Sequence, residues 1–306
     1  MAKLFQRIIV WIGIMAVLTL IAMGLWYAGW HGSQATESLK WLQFLQTMGT
    51  FLLPPVLCAW LWSENHRPFQ WLKLDAVPDG KIIGLAIAVM VCAIPGINLL
   101  ADLNGRIQLP ESLASIEQML KQQEELAAAL TERFLQADHI GGLLVNVGLM
   151  ALLPALAEEL TFRGTLQQLM DKPSAYGTQL SVKTHIAIWV TAIVFSAIHM
   201  QFYGFVPRML MGAMFGYLFV WTGSLWVPVV MHFVNNGMAV VAYYVTAVSY
   251  QPSAISEKNI ADTIGAGDTW WLGVLSLIAV GVLLWLLRRM ITSPGQPECD
   301  RRTHKQ

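Results

Sequence analysis

Charge is scarce in this chain: only 12% of its 306 residues are Asp, Glu, Lys or Arg, where a soluble domain carries about 25%. The 19 basic and 19 acidic residues cancel, which leaves no basic face for nucleic acid. Cysteine is scarce too. Cys58, Cys92 and Cys299 show no CxxC pairing, which excludes both a disulfide framework and a zinc knuckle. No sequence repeat or low-complexity tract interrupts the chain. What remains is 56% hydrophobic, arranged in runs of membrane-spanning length.

The first apolar run, Ile8 to about Trp26, follows Lys3 and Arg7. It is long enough to span and lacks a clear small-residue cleavage site before His31, so it reads as a retained anchor rather than a signal peptide. Further spans are expected over about 41–62, 82–100, 140–170, 184–199, 209–222, 225–245 and 270–287. Of the 13 tryptophans, Trp26, Trp30, Trp41, Trp62, Trp226, Trp270 and Trp271 fall at segment ends, as interfacial belts require. The stretch 103–138 is polar. Its apolar residues (Leu113, Ile116, Met119, Leu120, Leu126, Leu130, Phe134) recur as in an amphipathic helix. The expected fold is therefore an all-α integral membrane protein of about eight transmembrane helices in one bundle, plus an outer amphipathic helix. Eight spans put both termini on one side. Lys3 and Arg7, with Arg288, Arg289, Arg301, Arg302 and Lys305, mark that side as cytoplasmic.

Few ionisable groups interrupt the spans, and most of them cluster in Pro154-Ala-Leu-Ala-Glu158-Glu159-Leu-Thr-Phe-Arg163. Each such group near a bilayer centre costs roughly 2.5–3.5 kcal/mol, so it should face a protein interior or a wet cavity. Glu159 and Arg163 are four apart, about 40° around a helix, with the acid N-terminal as an ion pair prefers. They read as a structural pair that holds the site. Glu158 points elsewhere and has no evident partner. It is the carboxylate to suspect of chemistry.

Two other spans carry polar groups. One holds Phe195 and His199; the next but one holds His232 and Asn236, four apart and hence on one helical face. Glu158 and His199 each lie roughly 20 Å in from the 172–183 loop, whereas His232 lies roughly 12 Å past the next turn. A turn at Gly223-Ser224 that dips into the membrane would bring His232 level. Pro154 and Pro228 each precede a candidate by four residues and would kink their helices to open a pocket. Gly212 and Gly216 suit close helix packing. His31, His66, His139, His185 and His304 lie at ends, in loops or in the tail and are assigned nothing.

Three motifs in order, Glu-Glu-x-x-x-Arg (158–163), Phe-x-x-x-His (195–199) and His-x-x-x-Asn (232–236), are similar to those of the CAAX protease and bacteriocin-processing family. That family includes the Ras-converting CAAX endoprotease and the Abi-type membrane proteins of bacteria. Gly212–Asn236 also resembles the family's approach to its last motif. The resemblance covers about residues 140–245. It implies an intramembrane endopeptidase in which Glu158 activates a water, His199 helps to hold it, and His232 and Asn236 form the oxyanion hole. Phe195 would be a wall beside His199. The family has long been named as metalloproteases. Zinc could use Glu158, His199 and His232, but a metal-free mechanism is favoured, because an Asn aimed at the same point is a better oxyanion donor than zinc ligand.

Other intramembrane proteases fit less well. There is no His-Glu-x-x-His for a zinc site-2 type. Gly265-Ala-Gly-Asp268 matches an aspartyl-protease motif, yet no span offers a second Asp. Ser196 and His232 lack the motif of a rhomboid-type pair. The organisation expected is N-terminal spans and outer segment over 1–138, a CAAX-protease-like core over 139–248, and a last span with basic tail over 249–306. By resemblance, the partners are a membrane-anchored or lipidated protein or peptide substrate and the bilayer, in a bacterial inner membrane. The competing expectations are a non-catalytic scaffold or bacteriocin-immunity protein, a zinc-dependent version of the protease, and a transporter, against which the missing inverted repeat argues.

Overall fold

The computed structural model describes residues 2–137, 139–171, 180–249 and 263–292. The described residues are mostly helical, without a strand. The helices are α1 (Ala2–Trp30), α2 (Thr36–Trp62), α3 (Gly80–Gly105), α4 (Ala114–Leu135), α5 (Ile140–Met170), α6 (Val182–Ala197), α7 (Phe205–Thr222), α8 (Trp226–Ser249) and α9 (Trp270–Thr292). All eight segments expected to span are helical, and α4 is the outer amphipathic helix. Six helices among the described residues are long and apolar enough to cross a membrane, two fewer than expected. The shortfall has physical causes. α6 has only 16 residues, and α8 is made more polar by His232, Asn235 and Asn236. The chain is an integral membrane protein. The loops 172–179 and 250–262 and the basic tail with Arg301, Arg302 and Lys305 lie outside the described residues.

Proline shapes two of the helices that build the site. α2 widens into a π-helical turn over Thr47–Leu52 just before Pro54-Pro55, and α5 does so over Val147–Leu152 just before Pro154. In a regular helix, residues 55 and 154 would donate to the carbonyls of Phe51 and Met150, which proline cannot do. Side chains from neighbouring segments reach both oxygens. Thr161 Oγ1 donates to Phe51 O at 2.7 Å, and Asn236 Nδ2 donates to Met150 O at 3.4 Å. Pro95 in α3 has a third solution. Ser276 of α9 inserts its hydroxyl into the ladder, accepting from Gly96 N at 3.0 Å and donating to Cys92 O. Pro228 behaves differently from the expectation of a kink: it is the third residue of α8, within the first turn, where no intrahelical donor is lost.

Small residues set the closest approach. A methyl group at Gly212 would stand 3.3 Å from the Ala192 Cα, and one at Gly216 only 3.0 Å from Ile188. α6 and α7 therefore touch at these glycines, as the small-xxx-small spacing leads one to expect. Gly223 ends α7 at φ +66°, a conformation that costs glycine nothing. The turn it makes is buried beneath the segment that follows α2. Leu225 N donates to Lys73 O at 3.0 Å, Trp226 Nε1 to Leu74 O at 2.8 Å, and Ser224 Oγ to Ala76 O. Leu72 and Leu225 are fully buried there. The start of α8 is thus covered by protein.

Candidate active site

The second π-helical turn of α5, Phe162–Gln167, organises the polar interior. It aims Arg163 and Gln167 at the small face of α7. Arg163 Nη2 donates to Gly212 O at 2.8 Å and Gln167 Nε2 to Gly216 O at 3.2 Å. Arg163 Nη1 also donates to Glu159 Oε1 at 2.7 Å, and both side chains are wholly buried. The guanidinium lies over the rings of Phe195 (4.8 Å) and Phe215 (5.4 Å), where a cation is attracted to the aromatic face. The four-residue spacing from 159 to 163 forms the pair it indicates.

Glu159 has a second donor that the spacing did not reveal. His232 Nδ1 lies 2.8 Å from the same Oε1 atom. A carboxylate only accepts, so Nδ1 carries the hydrogen and the ring is fixed with Nε2 on the far side. There Nε2 stands 3.8 Å from Glu158 Oε2, too long for a direct hydrogen bond and short enough for both atoms to share one bound molecule. Phe195 packs edge-on against both imidazoles, His199 at 5.2 Å and His232 at 5.9 Å. His199 Nδ1 donates to Phe195 O at 2.8 Å, which leaves its Nε2 for other partners.

Glu158, His199, His232 and Asn236 all line one cavity of about 330 Å³. α5, α8 and the loop after α6 thus bring the four candidates together. Asn236 accepts from Asn235 Nδ2 at 3.1 Å through its Oδ1 atom. Sequence reasoning passed over six lining residues, Ile97 of α3, Gly204, Asn235, and Pro207, Arg208 and Met211 of α7. Arg208 was legible by the argument applied to Arg163, since it is an ionisable group opening an apolar run. Ile97 carries no sequence signal.

The geometry also bears on the rival chemistries. Among the described residues no group of three His, Cys, Asp or Glu side chains is placed to hold a metal ion, and the zinc set Glu158, His199 and His232 is no exception. Ser196 Oγ donates to Phe205 O at 2.7 Å, so its hydroxyl is committed to backbone. Asp268 sits in a short turn before α9 and does not line the cavity.

Residues 140–238 match the family model for the type II CAAX prenyl endopeptidase, Rce1-like. The match covers about a third of the chain. It holds all three motifs and ends two residues past Asn236. The uncharacterized protein YpbD of Bacillus subtilis (strain 168) is 32% identical over 93 residues. That overlap is 29% of this chain and 41% of the Bacillus protein, so less than half of that relative's length is spanned. No solved structure matches the chain. The matched segment comprises α5 to α8 up to residue 238, and α3 adds Ile97 to the cavity from outside it.

Proposed function

We propose that the chain is an intramembrane endopeptidase of the glutamate type, acting on membrane-anchored or lipidated protein or peptide substrates. The observation that carries this reading is the placement of Glu158 Oε2 3.8 Å from His232 Nε2, above a cavity shared with His199 and Asn236, inside an Rce1-like segment. Glu158 accepts a proton from a water as that water attacks the scissile carbonyl. His199, tethered through Nδ1, presents Nε2 to the same water. The carbonyl oxygen becomes an oxyanion. Asn236 donates to it through the N–H not directed at Met150 O, and His232 donates through Nε2. To do so His232 must carry both protons, with a carboxylate at each nitrogen. The proton held by Glu158 then passes to the leaving amine, which restores the carboxylate.

In this reading no metal takes part. The termini face the cytoplasm and the membrane is a bacterial inner membrane, in keeping with the basic residues at both ends of the chain.

The test is a membrane-anchored reporter co-reconstituted with the purified protein. Cleavage by wild type, and its loss in Glu158→Gln, His199→Ala and His232→Ala, supports the protease. A biological phenotype that survives all three substitutions points instead to a scaffold or immunity protein.

A further inference from the structure

Among the described residues, Arg208 is a cavity-lining cation that no carboxylate contacts. It lies in the first turn of α7 and lines the same cavity as Glu158 and His232. Its Nη2 atom donates to Gln201 Oε1 at 2.7 Å, a neutral acceptor. Its Nη1 atom is buried and has no acceptor among the described residues. No carboxylate among them stands within 4 Å of the guanidinium, in contrast to Arg163, whose carboxylate is at 2.7 Å. Glu124 and Glu158 act on Arg208 only through space. An intramembrane arginine normally pairs with an acid or with carbonyls, and a buried unmade hydrogen bond to a charged group is costly.

The surroundings hold this side chain in place. Gly204 lies against the guanidinium so closely that a Cβ there would stand 3.0 Å from Nη2. Gln201 follows His199 by two residues. One short loop therefore carries both the His199 imidazole and the acceptor that orients the arginine. A guanidinium presents a planar fork that matches a carboxylate.

We propose that Arg208 is a specificity-determining residue that anchors a carboxylate of the substrate, held by Gln201 and given room by Gly204. This rests on the protease reading for the identity of the ligand as a peptide. The carboxylate comes either from the free end of the substrate chain or from an Asp or Glu side chain near the scissile bond. Both offer the same fork of oxygens.

The experiment uses the full-length protein in liposomes with a panel of lipid-anchored, internally quenched peptides. Each peptide is made in three forms: native, with its C-terminus amidated, and with its acidic side chains replaced by Asn or Gln. Wild type should cleave one carboxylate form about tenfold or more faster than its neutral counterpart, mainly through KM. The amide arm identifies a terminal carboxylate and the Asn/Gln arm a side chain. In Arg208→Gln the ratio of the two forms falls to about one, Arg208→Lys keeps part of it, and Gly204→Ala, which displaces the fork, reduces it. Binding of the same peptides is measured in parallel by thermal shift, so the outcome does not depend on turnover. Cleavage without any carboxylate preference, or a preference that persists in Arg208→Gln, overturns the proposal and leaves the protease standing. Arg208-dependent binding without cleavage does the reverse. Neither binding nor cleavage overturns both.

Discussion

Glu159 Oε1 accepts from His232 Nδ1 at 2.8 Å and from Arg163 Nη1 at 2.7 Å. One buried oxygen thus joins the pair that braces α5 against α7 to the imidazole that faces the cavity. The ring cannot turn without giving up that bond, so the position of His232 Nε2 opposite Glu158 is set by a residue that does not itself line the cavity.

Removing one member of this buried pair should therefore unsettle the fold as well as the site. Arg163→Ala removes one of the two donors to the wholly buried Glu159 carboxyl, and breaking a buried pair in this way costs about 3–5 kcal/mol. The expected outcome is a clearly lowered unfolding temperature in detergent. Glu159→Gln should lower it as well, and should slow reporter cleavage further than stability alone explains. Unchanged melting of both variants would show that the pair does not brace the bundle.

Helix contact at the glycines makes a second prediction. Gly212→Ala places a methyl 3.2 Å from the Phe195 ring and 3.3 Å from the Ala192 backbone, where little can yield. Overpacking of this kind costs about 1–3 kcal/mol. Because Phe195 touches both imidazoles, activity should fall together with stability. Gly148→Ala, whose new methyl meets nothing within 4 Å, is the matched control for thermal unfolding.

How much of this could be seen in the sequence depends on the kind of signal. The span 140–170 was legible to the residue, because a long apolar run bounded by polar segments has one reading. The pairing of Glu159 with Arg163 was legible from helical spacing. The bond from Glu159 to His232 was not, since it joins residues 73 apart and no local pattern encodes a tertiary contact. Pro154 was noticed for its power to kink. Its structural consequence, a Met150 carbonyl reached by Asn236, needs both helices in view. The depth of the turn at Gly223-Ser224 was not legible, and what covers it is the 72–76 segment, whose sequence gives no hint of that destination. Five residues of the α4 stripe, Leu113, Ile116, Met119, Leu126 and Leu130, are exposed, as an amphipathic helix at an interface would have them.

Asn236→Ala tests the oxyanion role separately. Loss of one preorganised donor costs about 10²–10³-fold in kcat with little change in KM. Steady-state kinetics on the anchored reporter read both constants. A rise in KM at constant kcat would instead make Asn236 a substrate-binding group.

Metal removal separates two versions of the mechanism. Prolonged dialysis against a zinc chelator should leave the rate of reporter cleavage unchanged, and added zinc should not raise it. Loss of activity that zinc restores would favour a metal held by Glu158, His199 and His232 after rearrangement of the site.

The central claim is that the Glu158 carboxylate activates the attacking water. Its most direct test is the cleavage rate of Glu158→Gln protein that has kept the wild-type unfolding temperature, in liposomes with the anchored reporter. Loss of a general base predicts a fall of about 10²–10⁴-fold. A folded Glu158→Gln protein that cleaves at the wild-type rate would contradict the account.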